Sequence, residues 1–182
     1  TEKLQGNQVM EIQWRRAEGN RPAVLEGFTT VEPVARAAQR KGLPTMPSFS
    51  LEFGHDVRPP AIRKKIVKEL RRHMPRLLVL AFPCTIWSPI QNLTATDPST
   101  GKSLEELRAE QLEILEFVEE LRMIQEKLGG VFLVENPMPS RAWKEAPLKR
   151  LLDLFGWARS DQCMFGLRHA KTGGLLRKSL RF

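Results

Sequence analysis

Leu77-Leu78-Val79-Leu80-Ala81, followed at once by Phe82-Pro83-Cys84, is the stretch on which the fold turns. The run is short, uncharged and bounded by Arg76 and a proline, which predicts a strand buried on both faces, as in a parallel sheet. A second run, Val131-Phe132-Leu133-Val134, ends the same way but delivers Glu135-Asn136-Pro137. The carboxyl ends of strands in an open parallel sheet face the ligand crevice. A thiol and a carboxylate are therefore expected on neighbouring strand tips, where they can meet over one substrate.

Working outward, Ala23-Val24-Leu25-Glu26-Gly27 predicts a first strand, and Pro33 opens a helix with Val34, Ala37 and Ala38 inward and Gly42 at its end. Pro44, Pro47, Pro59 and Pro60 bracket a loop-rich stretch before a basic helix from Ala61 to His73. Beyond the thiol, Ser103 and Glu106 form a capping box, and Leu104, Leu107, Ile114, Leu115, Val118, Leu121 and Leu128 recur at helical spacing until Gly129-Gly130. Pro147 to Phe155 reads as a short helix closed by Gly156, and Asp161 to Gly166 as a strand or turn. Strands alternating with helices predict an α/β fold, a doubly wound and mostly parallel sheet with right-handed crossovers. One domain over residues 23–168 is expected, preceded by a polar lead-in, 1–22, and followed by a basic segment, 169–182.

A chain of 182 residues that is 41% hydrophobic buries one ordinary core. It has no run of about eighteen uncharged apolar residues for a membrane span, and its first residues lack a secretory signal, so no membrane partner and an intracellular, reducing location are expected, nuclear or cytoplasmic. The opening on Thr1 and the close on Phe182, without a terminal cap or tail, suggest a segment of something longer. Cys84 and Cys163, with His55, His73 and His169, show no metal-ligand spacing, and a reducing compartment keeps both thiols free. The net charge of +8 points to an anionic partner such as nucleic acid. Arg63, Lys64, Lys65, Lys68, Arg71, Arg72 and Arg76 crowd the basic helix, although solvated helix faces explain such a cluster equally well.

A thiolate can add to an electron-poor ring while a neighbouring acid stabilises the charge that develops on the ring nitrogen. Pro83-Cys84 after an apolar strand, Trp87-Ser88 just beyond, and Glu135-Asn136 after the next helix and strand together resemble the C5-cytosine DNA methyltransferases. The resemblance implies a methyltransferase of the S-adenosylmethionine-dependent, Rossmann-like type. Cys84 would be the nucleophile at cytosine C6 and Glu135 the carboxylate near N3, with Pro83 and Asn136 completing the two motifs. It further implies that Glu26, Gly27, Glu52, Asp56 and Pro83 line the S-adenosylmethionine pocket, that Trp87, Ser88 and Arg168 contact substrate, and that the partner is nucleic acid, with DNA favoured.

The chain departs from the family pattern in places. Only Gly27 stands where the family has a glycine-rich loop, Thr85 and Pro137 replace its usual residues, and Arg168, Arg177 and Arg181 lack its arginine spacing. Bland readings stay open beside the sharp one: a cysteine after an apolar strand is often a small buried hydrophobe, Asn136-Pro137 can simply start a turn, and Trp143, Trp157 and Phe165 suit packing. Cys163 reads as structural. The competing class is a non-catalytic nucleic-acid-binding or scaffolding relic of the same fold, carried in a larger mobile-element polyprotein.

Overall fold

The computed structural model describes residues 21–93, 96, 100–161 and 179–181. Strand β1 is Val24–Gly27, helix α1 Pro33–Arg40, helix α2 Pro60–His73 and strand β2 Leu77–Leu80. Helix α3 is Leu104–Lys127, β3 Val131–Val134, β4 Asn136–Pro137, helix α4 Ala146–Phe155, β5 Arg159–Asp161 and β6 Ser179–Arg181. The protein is thus a mixed α/β structure with a three-stranded parallel sheet and four helices among the described residues. None of those helices is long and apolar enough to cross a membrane.

The apolar run of β2 lies in the middle of the sheet, between β1 and β3. Gly27, Leu80 and Val134 stand in one row, so the three strands end level with one another. Side chains alternate between the two faces. Val24 and Val79 meet Ala35 of α1 on one face, whereas Leu25, Leu78, Leu80 and Val134 join Ile66 and Leu70 of α2 and Leu115, Val118 and Leu121 of α3 on the other.

Residues 44–49 extend the sheet beyond β1. Their backbone runs parallel to it, with short bridges at Val24–Thr45 and Gly27–Phe49 and hydrogen bonds from Met46 N to Val24 O, 3.0 Å, and from Phe28 N to Phe49 O, 2.7 Å. The chain therefore leaves β1 in one direction across the sheet and returns in the other to β2. Right-handed crossovers that run in opposite directions place their helices on opposite faces, which is where α1 and α2 lie. The strand order reverses between β1 and β2, and ligands of open α/β sheets bind at such a reversal, outside the strands' carboxyl ends.

Most helix limits follow from local chemistry. Ser103 Oγ accepts from Glu106 N, 3.2 Å, and Glu106 Oε2 accepts from Ser103 N, 2.7 Å, so the expected capping box opens α3. Gly129, at φ 68°, follows that helix, and Gly156, at φ 72°, follows α4. The differences from expectation are small: α2 starts at Pro60, α4 at Ala146, and Ala35 rather than Ala37 is the fully buried residue of α1. Asp161 ends β5, while residues 162–166 lie outside the described residues. β3 and β4 are separated only by Glu135, and β6 lies antiparallel between β4 and β5 in a second small sheet.

Candidate functional site

Two loops leave the level ends of β2 and β3, and the structure ties them together. Ala81 N donates to Gly27 O at 3.1 Å and Glu135 N to Leu80 O at 2.9 Å, so the parallel pairing runs one residue past each strand. Asn136, 1% exposed, donates from Nδ2 to Phe82 O at 2.9 Å. The Phe82 ring meets Trp143 edge to face, centroids 6.2 Å apart, and Trp143 Nε1 donates to Pro137 O at 3.0 Å. One polar bond and one aromatic contact thus hold the Pro83-Cys84 turn against the Glu135-Asn136 segment. That fixes two short motifs, separated in sequence by the whole of α3, at the carboxyl end of the sheet.

Cys84 is a half-buried free thiol that opens a single 3-10 turn over Thr85–Trp87, closed by Trp87 N donating to its carbonyl at 3.1 Å. Pro83 is exposed, and Ser88 and Glu135 are half-buried. Trp87 is 1% exposed within the main core, where its indole anchors the turn that carries the thiol. Arg168 and Cys163 lie outside the described residues.

On the β1 side, Glu26 is buried and its carboxylate accepts from Val34 N, 3.2 Å, and Ala35 N, 2.6 Å. These are first-turn amides of α1, which a helix leaves without internal partners. Glu26 therefore caps α1 from the preceding strand. Glu32, beside the start of the helix, has a left-handed backbone at φ 46° and offers no side-chain cap. Gly27 has no room for a side chain, because a Cβ there would lie 2.2 Å from the Phe49 ring. Glu52 is exposed on a short turn after residues 44–49. Asp56 is gripped by Arg58, Oδ1 to Nε 2.9 Å and Oδ2 to Nη2 2.6 Å, and these hydrogen bonds hold its carboxyl below the usual carboxylate range.

Two arginines that sequence reasoning passed over meet beside the thiol's loop. Arg108, from the first turns of α3, donates from Nε to Ile86 O at 3.1 Å and from Nη2 to Asn92 Oδ1 at 3.0 Å. Arg141 Nη1 reaches the same Asn92 oxygen at 3.3 Å. Burial, and then the charge of Arg141, lower the Arg108 pKa. Arg108 sits in a predominantly acidic helix, and only folding brings Arg141 beside it. The basic residues of α2 present an exposed row, Lys64, Lys65, Lys68, Arg71 and Arg72, while Arg63 pairs with Glu113 of α3 at 2.8 Å. No cluster of three metal-type ligands occurs among the described residues.

No family model, no curated protein and no solved structure matches this chain.

Proposed function

We propose that the chain is the catalytic unit, residues 23–168, of a cytosine-C5 methyltransferase acting on nucleic acid, with DNA as the favoured substrate. The observation that carries this reading is the Asn136–Phe82 hydrogen bond, which joins the Cys84 turn to the Glu135 segment at the strand ends. In this mechanism Cys84 Sγ bonds to C6 of cytosine, the ring's C5–C6 double bond gives way, and negative charge moves toward C5 and N3. A carboxyl group at Glu135 receives the N3 edge by hydrogen bonding and stabilises that charge. Once C5 has taken a methyl group, a base removes the remaining C5 proton, its electron pair re-forms the C5–C6 double bond, and the Cys84 thiolate leaves C6. A base in a duplex must first leave the stack, since C6 is otherwise covered. Arg108 and Arg141, two cations held close together, supply a place for a backbone phosphate next to the thiol. The nucleophile requires a reduced thiol, and a reducing intracellular compartment would keep it so.

S-adenosylmethionine would supply an electrophilic methyl group. The acceptors present fit its donor-bearing adenosyl end: Glu52 is exposed to take ribose hydroxyls, and Asp56 would reach an amino group by releasing Arg58. Pro83 and the Gly27 backbone flank the reversal in strand order. Glu26 serves this pocket by holding the β1–α1 turn.

The decisive test uses an oligonucleotide with 5-fluorocytosine at its target positions, incubated with S-adenosylmethionine. Fluorine at C5 blocks the elimination step, so wild-type protein is expected to accumulate a denaturant-resistant adduct and Cys84→Ala none. An adduct in Cys84→Ala, or none in folded wild type that binds the oligonucleotide, refutes the mechanism.

A second reading, a nucleic-acid-binding scaffold without catalysis, is favoured by one feature. Glu26 already occupies the α1 amides that would otherwise receive a ligand's anionic group. It expects unchanged oligonucleotide binding in Cys84→Ser and no saturable binding of S-adenosylhomocysteine.

A further inference from the structure

Helices α2 and α3 share one core on the same face of the sheet, through Ile66, Leu70, Leu115, Val118 and Leu121. A groove of about 640 Å³ opens along their outer side. Its lining includes Arg63, Lys64, Val67, Lys68 and Arg71 of α2 and Glu120 of α3. Lys64, Lys68 and Arg71 are exposed, and none of them has an ion pair or a side-chain hydrogen bond among the described residues. Acids that could offset them are taken up elsewhere. Glu113 pairs with Arg63 at 2.8 Å and Glu119 with Arg150. Glu69, the only acid of α2, lies 3.2 Å from His73 and lines a different cavity, on the helix's other side. Glu120 is the one acid in the described lining. A merely solvated helix face mixes the two signs of charge, whereas here one sign is concentrated in a concavity.

We propose that this groove holds the sugar–phosphate backbone of a nucleic-acid duplex through Lys64, Lys68 and Arg71, without reading its bases. The proposal rests on the reading that the partner is nucleic acid, and it adds a contact surface apart from the Cys84 loop. Positions i, i+4 and i+7 share one helix face and span about 10 Å of its axis, a length that holds about three phosphates of one duplex strand. Three cations in line therefore meet three charges in line, and the concavity receives the ridge that a backbone presents. No aromatic side chain stands in the described lining, so bases find nothing to stack on, which favours a duplex over a single strand. No large apolar side chain of α2 is exposed, so the surface lacks the anchors that fix a helix in lipid or centre a protein interface. Because α2 leads into the start of β2, Arg71 lies toward the strand beginnings and Lys64 toward the tips that carry Cys84. A duplex lying along the row has one end directed at the crevice.

The test is fluorescence anisotropy of the full chain with a labelled duplex of A·T pairs alone, which contains no cytosine, over a series of salt concentrations. Wild type is expected to bind it, with log K falling linearly against log salt. Lys64→Gln/Lys68→Gln/Arg71→Gln removes three phosphate contacts, so its slope should be shallower by about 2–3 and its affinity at about 0.1 M salt lower by about tenfold or more. Arg36→Gln/Arg40→Gln/Lys41→Gln removes the same charge from exposed positions on and beside α1, across the sheet, and should change the slope by less than about one. All six side chains are exposed and glutamine suits a helix, so both variants should unfold in urea like wild type. Lys68→Gln alone, with a slope change of about 0.9, carries the test if the triple variant does not fold. Equal slope changes in the two triple variants, a wild-type slope in the α2 variant, or tighter binding to oligo(dT) than to the duplex overturns the proposal. So does capture of the chain by mixed phosphatidylserine–phosphatidylcholine vesicles that depends on the α2 cations while duplex binding does not, which would assign the groove to a membrane surface. Methyl transfer is judged separately. A failed 5-fluorocytosine adduct leaves the groove standing, since the A·T duplex offers no target, and a successful adduct does not rescue a groove whose removal leaves the slope unchanged.

Discussion

Replacing Asn136 by alanine removes the donor that joins the two site loops. The Phe82 carbonyl then loses its Asn136 partner at 2.9 Å in a buried setting. An orphaned buried acceptor costs about 1–3 kcal/mol. Taking about 2 kcal/mol, with a urea dependence near 2 kcal/mol per molar for a chain of this size, the unfolding midpoint should fall by about 1 M at unchanged slope. Asn136→Asp should be worse, since it sets an acceptor, charged at neutral pH, against the Phe82 carbonyl oxygen. The loop effect is read separately by the rate at which Cys84 reacts with a disulfide reagent in a Cys163→Ser background. That rate should rise in Asn136→Ala under conditions where the protein stays folded. A midpoint within about 0.2 M of wild type, together with an unchanged thiol rate, would refute the idea that this bond holds the site.

Glu26→Ala should destabilise the protein by about 1–3 kcal/mol, because the Val34 and Ala35 amides lose a charged acceptor inside the fold; urea unfolding that matches wild type would contradict the capping role. Gly130→Ala would place a Cβ 2.0 Å from Gln125 Nε2 and 2.9 Å from Pro75 O, so a loss of about 1–3 kcal/mol is expected in the same assay, and wild-type stability would count against the close approach. Arg150 holds the Glu119 carboxyl below its ordinary pKa through hydrogen bonds of 2.9 and 2.5 Å. Glu119 therefore binds its proton more weakly folded than unfolded, so the stabilisation is present above the unfolded carboxylate's pKa and lost as pH falls through the folded one. Stability measured from pH 7 down to pH 3 should fall less steeply in Arg150→Ala than in wild type, and an identical acid limb would remove this pair from the account.

What was legible in the sequence was local. Val131–Val134 and the Ser103–Glu106 cap carry their signals within a few residues, and the structure shows both. Residues 44–49 were read as loop because Pro44 and Pro47 interrupt any strand pattern, yet their remaining amides and carbonyls pair with β1. The burial of Trp87 was likewise hidden, since a tryptophan beside a thiol looks the same in sequence whether it faces solvent or core. The family resemblance sets Glu26 at the cofactor, and nothing in the sequence marks it as a helix cap. The amides that it caps lie eight and nine residues on, and their direction depends on how the helix turns back over the sheet. Arg108 and Arg141 were invisible as a pair for the same reason: their meeting depends on the packing of α3 against the β2 loop.

At the other end of the β2–β3 seam, Gln125 reaches out of α3 and donates from Nε2 to Pro75 O, 2.8 Å, and Val131 O, 3.1 Å. One carboxamide thus pins the seam where the strands begin, and another, Asn136, pins it where they finish. A seam fastened at both ends moves as a plank, so thermal breathing should concentrate on its neighbour, the β1 flank with its proline-broken partner strand. Amide exchange should be slowest at Leu78 and Leu80 and much faster at Met46 and Phe49. Any molecule entering the crevice would find one jaw fixed and the other hinged.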